Sequence, residues 1–241
     1  MQLQEIYNIC NEISPFELQE GWDNSGVQVG FMAQEVEHIV LSLDIDHELL
    51  ETLQPNTLLI THHPLLFKPI KMFDPTMYEA GFIQKMIQKN VMMLSLHTNF
   101  DKTHLNRYVA QEVLGYKIEK EESFLLTLEV AESFETIYAN VVKKLSLRAP
   151  KVVMPQKTIQ KIALCTGSGA SLLPQVDAEL FLTGDIKYHD AMLAKALGIG
   201  MIDIGHFESE QFFSEILQKE LKNFGIDAII SQSKNPFDYR V

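Results

Sequence analysis

Apolar residues recur at helical spacing at Leu3, Ile6, Ile9 and Ile13, and Ser14-Pro15 closes the pattern, so the chain opens with a predicted helix. After it the rhythm changes. A turn-rich stretch, Trp22-Asp-Asn-Ser-Gly-Val-Gln-Val-Gly30, runs into a short strand. Uninterrupted apolar runs at 38–43, 57–61 and 91–96 read as buried strands, and the segments 46–53, 75–89 and 103–114 between and after them read as helices. Asp44 or Asp46 is the expected cap of the first, Pro75 falls in the first turn of the second, and Gly115 follows the third as its C′ residue.

The second half repeats the alternation. Strands are expected at 123–130, 161–165, 180–183, 201–204 and 228–231, and helices at 134–145, 191–197 and 207–224. Strand followed by helix, again and again, predicts an α/β fold of two lobes with mixed, mostly parallel sheets. The pattern breaks only at 115–123, where Lys-Ile-Glu-Lys-Glu-Glu intervenes, which places the lobes at about 1–120 and 121–241. No internal repeat and no low-complexity segment is visible.

Charge narrows the partners. Lys and Arg number 20 against 32 Asp and Glu, a net charge of −12, which repels a nucleic-acid backbone. The two cysteines, Cys10 and Cys165, lie far apart among apolar residues and read as reduced core residues, not as a metal or redox motif. The start of the chain lacks the features of a signal peptide, and no apolar run approaches the ~20 residues of a membrane span. A cytoplasmic protein is expected.

The candidate chemistry falls just after apolar strands, where open α/β sheets build their sites. His62 and His63 follow one strand, His97 another with Asp101 four residues on, and His206 a third with Glu210 four residues on. On a helix, His206 and Glu210 would share a face and could grip one ion, although a first-turn carboxylate accounts for Glu210 equally well. His62 and His63 could serve two ions, or be one buried and one exposed histidine. Asp101 could be a terminal or bridging ligand, or the N-cap of the helix expected at 103, and the two roles need not exclude each other. His97 is a ligand, an orienting partner or a proton shuttle. His38, His47 and His104 rate lower, and His189 is a candidate pocket-wall residue. Two glycine loops, Thr166-Gly-Ser-Gly169 and Thr183-Gly-Asp185, offer backbone N–H groups to an anion, with ordinary turns as the alternative. Lys68, Lys71, Lys102 and Lys187 could neutralise such an anion or simply be solvated. Gly-x-Ser-x-Gly is missing and no cysteine sits beside a histidine, which disfavours Ser or Cys nucleophiles.

Five motifs in order, Trp22-Asp-Asn-Ser-Gly-Val-Gln-Val-Gly30, Thr61-His-His-Pro-Leu-Leu-Phe67, His97-Thr-Asn-Phe-Asp101, Thr183-Gly-Asp185 and Gly205-His-Phe-Glu-Ser-Glu210, make the chain resemble the GTP cyclohydrolase 1 type 2 homologue family, the NIF-three-like or YbgI-like proteins. The resemblance runs the full length. It implies a two-lobed α/β fold with a dinuclear metal site at the carboxyl ends of strands between the lobes. It carries over His62, His63, Asp101, His206 and Glu210 as metal ligands, and sets His97 beside the metals as the candidate catalytic residue. It implies a homohexamer, and the length of the chain leaves no room for the domain that longer members insert mid-chain. Ala170 stands where relatives often have another glycine, which weakens the anion-cradle reading of that loop.

Two functions follow. One is a metal-dependent hydrolase in which two divalent ions (Zn, Mn, Fe or Ni) activate water against a nucleotide or another phosphate- or amidine-type small molecule. The other is a non-enzymatic, metal-dependent binding or regulatory protein. Neither reading calls for a membrane or a nucleic-acid partner.

Overall fold

The computed structural model describes residues 1–155 and 157–238. In chain order its strands are β1 (Gly26–Val29), β2 (His38–Ser42), β3 (Thr57–Thr61), β4 (Met92–Ser95), β5 (Lys117–Glu122), β6 (Leu125–Glu129), β7 (Val152–Val153), β8 (Lys161–Leu164), β9 (Leu180–Thr183), β10 (Gly200–Asp203) and β11 (Ile229–Ile230). They belong to two compact units. The first comprises Met1–Phe100 and Phe212–Lys234, the second Asp101–Gln211 and Asn235–Val241.

In the first unit the sheet order is β1-β4-β3-β2-β11. β11, β2, β3 and β4 pair in parallel, and β1 joins β4 antiparallel. β3 is central, and every residue of Thr-Leu-Leu-Ile-Thr is buried, which is why it reads as an unbroken apolar run. Leu50, Leu59, Phe82, Met86 and Met93 pack in one core cluster beside it. Each such side chain contributes about 1.5–3 kcal/mol by leaving water. Helix Leu3–Ile13 matches its predicted bounds, turning Leu3, Ile6 and Cys10 inward. Helix His47–Thr52 is capped by Asp46, whose side chain accepts from Leu49 N–H.

The helix expected over 75–89 spans only Tyr78–Gln88. Asp74 holds the preceding residues in a turn, its carboxylate accepting from Thr76 N–H and Oγ–H and its carbonyl from Met77 N–H. The helix expected from 103 begins too late as well, because Thr98–Phe100 is already helical. Its cap comes from far away in sequence: the Asp23 carboxylate accepts from Thr98 N–H and Oγ–H.

In the second unit the order is β5-β6-β8-β9-β10-β7. β8, β9 and β10 are parallel, and the other three pairings are antiparallel. The acidic and basic run 117–122, read from sequence as the break between lobes, is the edge strand β5, turned back onto β6 at Ser123, whose φ is +57°. Its charges suit an edge, where they oppose further strand pairing. The two-residue β7 escaped the sequence pattern entirely. Helical turns run through Asp101–Leu105, Asn106–Tyr108 and Val109–Val113, the first and last of π type, and Gly115 follows at φ +77°, as expected of a C′ glycine. The long helix predicted over 207–224 is two helices, His206–Glu210 in this unit and Phe213–Asn223 in the first. The first closes with Gln211 N–H on Phe207 C=O and the second opens with Phe212 C=O accepting from Ile216 N–H, so each has its own hydrogen-bonded register.

Candidate metal-binding residues

Register places the histidines of the first unit. Thr61 pairs with Ser95 across β3 and β4, so the two strands end level and their hydroxyls bond at 2.9 Å. His62, His63 and His97 therefore leave the sheet side by side, and one ring nitrogen of each lies within 4.8 Å of the other two. His62 is fully buried, and its Nδ1 lies 2.8 Å from Leu96 C=O. A carbonyl only accepts, so Nδ1 carries a proton and Nε2 is the ring atom turned away from this bond. His63 Nδ1 lies 2.8 Å from Asp44 Oδ1, and His97 Nδ1 lies 2.8 Å from Asp23 Oδ1.

The same arrangement recurs in the second unit. His206 Nδ1 lies 2.7 Å from Asp185 Oδ2, while its Nε2 lies 3.0 Å from Glu210 Oε2 across one helical turn. Burial opposes charge on this imidazole, but its bonds to Asp185 and Glu210 outweigh that and push its pKa up to about 11. Asp185 holds this position with φ +55°, the left-handed region that costs a non-glycine residue about 1–3 kcal/mol and recurs at functional sites. A carboxylate oxygen of Glu210 lies within 4.8 Å of one from Asp101. Asp101 is buried inside a helical turn and is not the N-cap that a helix starting near 103 would have made it.

Four backbone N–H groups of the glycine loops at the ends of β8 and β9 are taken up within the protein. Thr166 N–H donates to Asn106 Oδ1, Gly167 N–H to Ser209 Oγ, Gly169 N–H to Thr183 Oγ1 and Gly184 N–H to Gly167 C=O. The glycines answer a different need. At Gly167, φ is +60° and a Cβ would lie 2.0 Å from Glu210 Oε1, so only glycine lets the loop pass that carboxylate. Lys102 lies over the Phe124 ring, 4.7 Å from its centroid.

The predicted residues thus sort by unit: His62, His63 and His97 gather in the first, and Asp101, His206 and Glu210 in the second. His189 is exposed in the first turn of helix Tyr188–Leu197, its ring against Tyr188. His47 stacks on Phe82, and His104 is half-buried. Three residues were missed as functional: Asp23, Asp44 and Asp185, each holding an imidazole Nδ1. Asp23 and Asp185 lay in motifs already singled out, and Asp44 carries no signal beyond its place after β2.

This donor set fits divalent metal ions. Each of the four imidazoles is held at Nδ1 by an acceptor, the arrangement that directs Nε2 toward a metal, and the carboxylates supply hard oxygen donors. Two mixed α/β units carrying candidate metal-binding His, Asp and Glu residues define the class of protein. The chain belongs to the Duf34/NIF3 (NGG1p interacting factor 3) family, whose model matches residues 1–236. It is 48% identical over 241 residues to a Campylobacter jejuni GTP cyclohydrolase 1 type 2 homolog, covering 99% of this chain and 100% of the relative. To a Helicobacter pylori GTP cyclohydrolase 1 type 2 it is 40% identical over 236 residues, 97% of each chain. The fold is also that of a Staphylococcus aureus hypothetical protein, with a TM-score of 0.86 at 24% identity over 100% of this chain and 99% of the other. Among the described residues, no helix is long and apolar enough to cross a membrane.

Proposed function

We propose that the protein is a dinuclear metal-dependent hydrolase, with His62, His63, Asp101, His206 and Glu210 as metal ligands and His97 as the proton-transferring residue. The observation that carries this reading is the common anchoring of the four imidazoles through Nδ1. Two divalent ions, of Zn, Mn, Fe or Ni, would supply Lewis acidity and an activated water. Asp44 and Asp185 orient His63 and His206 and raise their basicity as donors. Asp23 fixes His97 so that Nε2 is the atom that takes or gives a proton. The substrate class is a nucleotide or another phosphate- or amidine-type small molecule, in keeping with the name of the Helicobacter pylori relative.

The test is elemental analysis and turnover on one preparation. Up to two divalent ions per chain are expected, falling sharply in His62→Ala, Asp101→Ala and Glu210→Ala. A panel of nucleotides and phosphoesters should then reveal hydrolysis by the loaded protein. Full metal content in the triple variant would overturn the ligand assignment. Loaded protein inert on the whole panel would favour a binding or regulatory role. A homo-oligomer, hexameric by family resemblance, is part of the proposal. Helix Tyr188–Leu197 supports it by exposing Tyr188, Met192, Leu193 and Leu197. A monomer at micromolar concentration in light scattering would contradict it.

A further inference from the structure

Asp185 and His206 meet at 2.7 Å although they stand 21 positions apart, so two turns of the second unit must be held against each other. The backbone does part of this. Thr183 C=O accepts from Ile204 N–H at 3.0 Å, and a Cβ on Gly184 would lie 2.8 Å from the backbone nitrogen of His206, so only glycine lets the turns approach this closely. The rest falls to Asp203, the last residue of β10, whose side chain is buried. Its Oδ1 accepts from Gly205 N–H at 3.2 Å, just before His206, and its Oδ2 accepts from Ile186 N–H at 3.3 Å, just after Asp185. One carboxylate therefore bridges both turns. A buried carboxylate needs a cation or several donors to offset its lost hydration. Lys151 completes the set: its Nζ lies 2.8 Å from Asp203 Oδ2 and donates to Ile186 C=O at 2.6 Å. Lys151 C=O also accepts from Asp203 N–H at 2.9 Å, so the lysine grips β10 with its backbone and the Asp185 turn with its side chain. Asp185 itself sits at φ +55°, a conformation that persists only where its surroundings over-determine it.

We infer that Asp203 and Lys151 are positioning residues for His206: they clamp the Asp185 turn onto the His206 turn, so that Nδ1 is bonded and Nε2 is aimed before an ion arrives. The inference rests on His206 being a metal ligand and adds the two residues that preform it. Neither is offered as a ligand, since both Asp203 oxygens face donors of the clamp. A donor fixed in advance spares the ion the cost of ordering it, which is how a clamp remote from the metal sets affinity.

The full chain is stripped of metal and studied before and after zinc is added. Proton NMR in water should show a downfield imidazole N–H resonance that disappears in His206→Gln, which assigns it to the Asp185 bond. Lys151→Met should broaden or abolish that resonance by solvent exchange, and Lys151→Arg should restore it. The Lys151 side chain is 66% exposed, so its substitution is not expected to disturb folding. Zinc titration against a chromophoric chelator should give affinities about 10- to 100-fold weaker in Asp203→Asn and about 3-fold or more weaker in Lys151→Met, with Lys151→Arg close to wild type. A purely structural lysine would lower the urea midpoint of Lys151→Met and leave the resonance in place, and that result overturns the inference. So does absence of the resonance from the wild type, or zinc affinity unchanged in Asp203→Asn and Lys151→Met while His206→Gln is weakened. Failure of the ligand reading looks different. If His206→Gln binds zinc as tightly as the wild type, His206 is not a ligand, and the resonance alone decides whether Lys151 and Asp203 hold it against Asp185.

Discussion

His97 and Asp23 form a buried ion-pair geometry, Nδ1 to Oδ1 at 2.8 Å, with the Asp23 side chain closed to solvent. Of the anchored imidazoles, His97 is the one proposed to move protons, and its anchor should matter to rate more than to metal. His97→Ala is expected to keep its metal and lose about 10²–10⁴-fold in turnover. Asp23→Asn should keep its metal and lose about 10–100-fold. Metal content and rate measured together check both, and a loss of metal in either variant would make His97 a ligand.

Asp23 also predicts an acid limb. Burial raises its carboxyl pKa, but the His97 and Thr98 hydrogen bonds outweigh burial and hold it well below the usual carboxylate range. A depressed folded pKa contributes stability that is present above the unfolded value, near 4, and is lost as pH falls toward the folded one. Urea midpoints of the wild type should therefore fall below about pH 4 more steeply than those of Asp23→Asn. Parallel curves would show that the carboxylate contributes nothing to stability.

Gly167 predicts a selective loss. Alanine there is strained at φ +60° by about 1–2 kcal/mol, and its Cβ would displace the Glu210 carboxylate. Gly167→Ala should fold, with an unchanged far-ultraviolet circular dichroism spectrum, yet bind metal at least about 10-fold more weakly. Unchanged metal affinity would mean that Glu210 is not a ligand.

His206 predicts proton release. In the metal-free protein its pKa is pushed up to about 11, so at neutral pH the ring is charged between Asp185 and Glu210. A metal ion can take Nε2 only as the proton leaves. Calorimetry in two buffers of different ionisation enthalpy should register protons released on zinc binding at pH 7, and fewer in His206→Gln. The raised pKa also implies that the metal-free chain gains stability from this group below about pH 6.5 and loses it as pH climbs through about 11.

The strands were legible because apolar runs without interruption have few other fates. Thr57–Thr61 and Leu180–Thr183 carry the bounds read from sequence. Where the reading failed, the deciding partner was remote. Thr98 starts a helix because Asp23 caps it, 75 residues away, and no local rule contains that fact. β5 looked like a break in the pattern because an edge strand needs no apolar face. The candidate donors were visible from their positions after strands, but Asp44 was not, since only the fold brings it to His63.

The order in which the ribosome delivers the two units has a consequence of its own. β11 lies beside β2, Ile229 opposite Val40, so the first sheet stays incomplete until nearly the whole chain has been made. The stretch Asp101–Gln211 emerges in one piece before that strand. During synthesis all six strands of the second sheet, β5 to β10, have therefore emerged while the sheet carrying His62, His63 and His97 keeps the β2 edge open until Phe212–Lys234 follows. Release of a chain stalled near residue 211 would leave that unpaired edge exposed to its neighbours.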